Sequence, residues 1–152
     1  MPVSNSKYMH TNIVARDWKA LAKFYQDVFG CVPVPPQRDY EGDWIRKVTG
    51  ISDVRIEGMH LRVPGYGDDG PTLEIFQYSR QPERLPPALN RPGLTHLAFH
   101  VDDVPEARQA VLSAGGSDLG EIHTMPVSGA GTVTLIYMTD PEGNVIELQT
   151  WS

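Results

Sequence analysis

At 152 residues, with 40% hydrophobic residues, three Trp and six Tyr, the chain can bury a substantial core as one compact domain or as two small fused modules. A formal net charge of −6 with no basic run argues against nucleic acid or an anionic membrane as a partner. The apolar stretches are strand-sized and broken by charge, too short to span a bilayer.

The first ten residues, "MPVSNSKYMH", carry no apolar signal region, so cytoplasmic residence is expected. "YMHTNIVA" alternates, with Met9, Thr11, Ile13 and Ala15 on one face and His10, Asn12 and Val14 on the other. A helix should follow. Asp17 is a suitable N-cap for "WKALAKFYQDVFG", in which Trp18, Leu21, Phe24, Tyr25 and Val28 recur at helical spacing and Gly30 suits the stop. Cys31, in the strand-like "CVPVP", is the only cysteine, so neither an internal disulfide nor a thiolate zinc site can form within one chain. A small apolar role in a buried strand is expected for it. "PQRDYEGDWIRKVTG" reads as irregular, and "VRIEGMHLRV" and "TLEIFQY" as strands on either side of the turn "GYGDDGP".

A Pro-rich connector, "SRQPERLPPALNRPG", leads to a second series of the same kind. In "LTHLAFHV", Leu97, Phe99 and Val101 form an apolar face, and His96, Ala98 and His100 face the other way. Asp103 or Asp102 caps the helix "VPEARQAVLSAGG", and the strands "SDLGEIHTMP", "TVTLIYMTD" and "NVIELQTW" follow, the last two joined by "DPEGN". His10 aligns with His96, Asp17 with Asp103 and Gly30 with Gly116 at one constant offset. Glu74 and Glu147 each lie on the strand that closes a half. The chain therefore reads as α+β, two tandem β-α-β-β-β modules at about 7–80 and 93–152 with a linker at about 81–92. The longer interval in the first half assigns its extra residues to 36–50 and to the 64–71 turn.

A repeated β-α-β-β-β unit with His on its first strand and Glu on its last resembles the vicinal oxygen chelate superfamily, which includes glyoxalase I, methylmalonyl-CoA epimerase, extradiol dioxygenases and bleomycin-type drug-binding proteins. "HTNIVARDWKALAKFYQDVFG", "RPGLTHLAFHVDDV" and "YMTDPEGNVIEL" carry the likeness, which runs from about Tyr8 to Trp151. The resemblance implies an open, cavity-lining mixed β-barrel in which His10, Glu74, His96 and Glu147 hold one divalent metal ion: Zn, Ni, Co, Mn or Fe. It also implies a small-molecule substrate with neighbouring oxygens and a homodimer, with the modules pairing within a chain or across it.

By the same resemblance, the expected reaction is proton transfer next to a carbonyl, as in a lyase or isomerase, with Glu147 as base and Glu74 as its partner carboxylate. An iron-dependent extradiol-type dioxygenase using His10, His96 and Glu147, with His100 or Tyr137 as acid/base, is the alternative. A non-catalytic small-molecule or antibiotic-binding protein using Trp44, Phe76, Tyr78 and Trp151 is a third. Val14 and Tyr78 stand where bacterial glyoxalase I carries Arg and Asn for glutathione, and Glu74 stands where the epimerase often carries Gln. His100 lies about 13 Å from His96 along the strand at roughly 3.3 Å per residue, too far to share its ion. His60 and His123 are expected to be structural, and Asn12 to support the metal ligands. Tyr40, Asp43, Trp44 and Arg46 fall in the inserted segment, which serves either as a cover for the pocket or as a surface loop.

Overall fold

The alternation around "HTNIV" becomes strand β1 (His10–Val14) in a computed structural model that describes residues 1–152. The chain divides into two units, Met1–Glu83 and Arg84–Ser152. In the first, β1 is followed by α1 (Trp18–Phe29), β2 (Val32–Tyr40), α2 (Asp43–Thr49), β3 (Ile56–Arg62) and β4 (Thr72–Tyr78). The sheet order is β1-β4-β3-β2, with β1 parallel to β4 and the other pairs antiparallel. First and last strands are thus neighbours.

Helix α1 starts where the Asp17 carboxylate accepts the Ala20 N–H at 3.0 Å. It stops at Gly30, whose φ of 69° is left-handed and whose N–H reaches the Gln26 and Tyr25 carbonyls. Its buried face, Trp18, Leu21, Phe24 and Tyr25, packs on β3 and β4, where Leu61, Leu73 and Ile75 are almost fully enclosed. Burial of each such side chain is worth about 1.5–3 kcal/mol, which fixes that face of the sheet as the core. By strand alternation His10, Asn12, Glu74 and His60 occupy the opposite face.

The second unit runs β5 (His96–His100), α3 (Val104–Ser113), β6 (Ser117–Asp118), β7 (His123–Val127), β8 (Gly131–Thr139) and β9 (Val145–Trp151). Its order is β5-β9-β8-β6, with β7 also paired to β8, and β5 is again parallel to the closing strand. Asp103 is the N-cap of α3, accepting from the Glu106 N–H at 2.8 Å. Val104 and Val111 pack down on β8 and β9, whose Ile136, Met138, Ile146 and Leu148 are buried. The protein is therefore α+β with two mixed sheets, and each sheet is open.

Two segments differ from the sequence expectation. Residues 36–50 are regular: β2 continues to Tyr40, and α2 forms between Gly42 and Gly50, both at positive φ. Asp43 pairs with Arg46 at 3.0 Å within that short helix, and Ile45 anchors it in a cluster with Val54, Ile56 and Phe76. "SDLGEIHTMP", expected as one strand, divides into β6 and β7. The N–H groups of Leu119 and Gly120 both point to the Tyr137 carbonyl at 3.1 Å, so two residues face one and the ladder breaks there. Cys31 is buried as expected, one residue before β2 begins.

Candidate metal centre

The parallel pairing of β1 with β4 sets Asn12 opposite Glu74 and His10 opposite Thr72, so His10 lies diagonally from Glu74 on the same face. His10 Nε2 is 3.6 Å from Glu74 Oε1, and the Asn12 amide donates to that oxygen at 2.9 Å. From the other side, β3 sets His60 directly opposite Glu74, with Nε2 2.7 Å from Oε2. His60 Nδ1 lies 2.8 Å from the Thr72 hydroxyl. Burial holds the His60 imidazole below its ordinary pKa; the charges of Arg38 and His10 act in the same direction and that of Glu74 opposes them. The donor atoms of His10, His60 and Glu74 all lie within 4.8 Å of one another.

Parallel pairing of β5 with β9 repeats the arrangement in the second sheet. His96 is diagonal to Glu147, with Nε2 3.1 Å from Oε2, and Thr95 Oγ1 lies 3.0 Å from His96 Nδ1. Tyr137 stands directly opposite Glu147, the place that His60 holds in the first sheet. Its ring meets that of His96 edge to face at 5.1 Å. Burial raises the Tyr137 pKa, and the charge of Glu147 and a hydrogen bond to it add to the rise. Glu147 is buried, at 8% exposure, so its carboxylate is largely withdrawn from water.

The structure thus brings His10 together with Glu74, and His96 together with Glu147. Asn12 supports Glu74, in keeping with the position read from its strand. His100 turns to Asp102 at 3.7 Å on an exposed edge, and His123 is exposed on β7 opposite Leu135. In the inserted segment, Trp44 packs edge to face on Tyr40, and Tyr40 on Phe76. Phe76 shares the strand face of Glu74, so α2 covers the far end of the donor-bearing face. His60, expected to be structural, stands beside Glu74 and His10, a placement that sequence reasoning missed. The signal was present: a hairpin centred on Gly67 pairs His60 with Glu74.

The donors are imidazoles and carboxylates with supporting hydrogen bonds, a set that suits a borderline or hard divalent ion. A family model described as the glyoxalase/bleomycin resistance protein/dioxygenase superfamily matches residues 7–148. The chain belongs to this superfamily. Among solved structures, a glyoxalase family protein from Bacillus cereus is similar with a TM-score of 0.78 and 19% identity, covering 97% of each chain. A glyoxalase family protein from Enterococcus faecalis shares the fold with a TM-score of 0.62 and 22% identity, over 97% of this chain and 100% of that one. The fosfomycin resistance protein FosX from Listeria monocytogenes, solved with Mn(II) and sulfate, gives a TM-score of 0.53 at 14% identity over 99% and 95% of the two chains. No curated protein sequence matches the chain. Superfamily members include metalloenzymes and resistance proteins, and a bound divalent metal is typical of them. No helix is long and apolar enough to cross a membrane.

Proposed function

We propose that this superfamily member is a divalent-metal-dependent enzyme that binds two neighbouring oxygens of a small substrate and transfers a proton next to a carbonyl, in the manner of glyoxalase I and methylmalonyl-CoA epimerase. The observation that carries the reading is the repeated pair: in each sheet an imidazole of the first strand meets a carboxylate of the last, within 3.6 Å in one and 3.1 Å in the other. His10, Glu74, His96 and Glu147 supply one ion, with the modules pairing within a chain or across a homodimer. A divalent ion held by these residues would supply polarisation of the substrate carbonyl and stabilisation of the negative charge that develops on its oxygen.

The carboxylates then have different duties. Glu74 accepts from Asn12 and faces His60, contacts that hold its orientation. Glu147 is buried and has no amide donor of that kind, which suits it to take the carbon-bound proton at Oε1 or Oε2. Tyr137, with its pKa raised, stays a neutral donor beside Glu147. Val14 and Tyr78 in place of the glutathione-binding pair favour a cosubstrate other than glutathione. The deciding experiment loads metal-free protein with Zn, Ni, Co or Mn and follows deuterium exchange beside the carbonyl of 2-oxo acids and thioesters. Exchange that needs the metal supports the reading; its absence across the panel, with the ion bound, removes it.

A second reading, an iron-dependent ring-cleaving dioxygenase, is favoured by the packing of Tyr137 against His96 and Glu147, which places a phenol acid/base beside an imidazole-carboxylate pair. Oxygen uptake with a catechol after anaerobic Fe(II) loading would select it.

A further inference from the structure

We infer that the first sheet carries a three-donor metal site of its own, in which His60 is a protein ligand beside His10 and Glu74. The inference rests on the metal-binding reading above and adds to it one residue, absent from the repeated quartet.

Three adjacent strands, β1, β4 and β3, each contribute one side chain to the same face. Strand spacing of about 4.8 Å brings such neighbours within reach of one ion when their side chains lean together. Here they do: His60 Nε2 to Glu74 Oε2 is 2.7 Å, His10 Nε2 to Glu74 Oε1 is 3.6 Å, and all three donor atoms fall within 4.8 Å of one another. Ligands about 2.1 Å from an ion and at right angles to each other are about 3 Å apart, so these separations are of the size that a common ion requires.

The atoms around the trio favour this role. Thr72 Oγ1 touches His60 Nδ1 at 2.8 Å and is both a donor and an acceptor. It donates when Nε2 carries the proton and faces Glu74, and it accepts when Nε2 is bare for an ion. The ring is thus oriented in both states, as a metal-binding imidazole needs. The ring also stands edge to face against Phe76 at 6.3 Å and against His10 at 5.3 Å, which restricts its rotation. Asn12 holds Glu74 from the opposite side. In the second sheet the matching place holds Tyr137 in place of an imidazole, so that sheet offers two imidazole or carboxylate donors where the first offers three.

The test uses the full chain stripped of metal, with Co(II) as probe, followed by calorimetry and by its visible absorption. The wild type is compared with His96→Ala/Glu147→Gln, with the same double variant carrying His60→Leu, and with His10→Ala/Glu74→Gln. The double variant in the second sheet should still bind one Co(II) per chain, and adding His60→Leu should weaken that binding by about 100-fold or more, consistent with the loss of a direct ligand. Loss of all binding in His96→Ala/Glu147→Gln, while the wild type binds, would overturn the three-donor site and leave the quartet standing. Unchanged affinity on adding His60→Leu would overturn it as well. A wild type that binds no Co(II) sinks both readings. Because His60→Leu alters a half-buried position, the Co(II) wild type supplies a check free of substitution. Shifted imidazole N–H resonances assigned to both His10 and His60 in its proton NMR spectrum support the three-donor site; the absence of a shifted resonance from His60 excludes it as a ligand.

Discussion

The two sheets share one topology and differ at the residue opposite the closing carboxylate. In the first, Glu74 is enclosed by His10, His60 and Asn12; in the second, Glu147 meets His96 and Tyr137, and Ala98 stands where Asn12 does. Three hydrogen-bonding or donor contacts shape one carboxylate, and a more buried setting surrounds the other. Duplication thus supplies two like frames, and changes at single register positions give each closing carboxylate its own surroundings, the difference on which the proposed division between holding an ion and moving a proton rests.

The largest effect that can break this division comes from the carboxylates themselves. Glu147→Gln should lower metal-dependent deuterium exchange by about 10²–10⁴-fold while the ion content is retained, since the amide cannot take the proton. Glu74→Gln should instead lower metal content first. Exchange rate and bound metal measured on the same samples separate the two, and equal loss of both in both variants would mean that the sheets do not divide the work.

The turns that close the two halves differ as much as the sheets. Asp140, 2% exposed, accepts the N–H groups of Glu142 and Asn144 at 2.9 Å and the Asn144 amide at 2.7 Å, so it fixes the turn before β9. Asp68 and Asp69, in the turn before β4, are exposed. Asp140→Ala should therefore cost about 3 kcal/mol, as expected for losing charged hydrogen bonds and leaving donors unpaired, whereas alanine at Asp68 or Asp69 should stay within about 0.5 kcal/mol. Urea unfolding of the three variants measures the contrast.

Both turns were legible in the sequence because Gly, Asp and Pro punctuate them, and both capped helices were legible because Asp17 and Asp103 precede apolar periodicity. The pairing of His10 with Glu74 and of His96 with Glu147 followed from the repeat. His60 stayed hidden because its strand, "IEGMHLR", has no clean alternation: Ile56 lies on the donor face yet is buried in the cluster that holds α2. Gly58, on the same face, leaves room for the Phe76 ring, which a Cβ there would strike along with the Ile75 carbonyl. Helix α2 was missed because seven residues hold too few periodic positions; its evidence is the packing of Ile45, a contact between segments distant in sequence.

A smaller effect sharpens the contrast at Asn12 and Ala98. Removing the amide by Asn12→Leu should weaken metal binding by about 10–100-fold through the freed Glu74 carboxylate. Ala98→Leu should change affinity much less, because Ala98 offers Glu147 no hydrogen bond. Calorimetric titration of both variants reads the difference, and equal weakening would show that bulk on this strand face, rather than the amide, is what matters.

The smallest effect concerns the strand that follows each first helix. Cys31 and Ser117 are equivalent in the repeat, yet Cys31 is 3% exposed beside α1 and Ser117 is exposed beside α3. Burial pushes the Cys31 thiol from an ordinary 9.0 up to about 11. Near neutral pH its thiolate fraction is then lower by about 100-fold than that of an exposed cysteine, and enclosure slows reagent access further. A thiol-disulfide reagent should accordingly leave the native chain almost unlabelled and react fully once urea unfolds it. In the counterpart variant Cys31→Ser/Ser117→Cys, labelling should proceed in the native state. Native labelling of Cys31 at the rate of that exposed cysteine would mean that the first module opens at the end of α1, and the packing that orients His10, His60 and Glu74 would then be looser than their distances suggest.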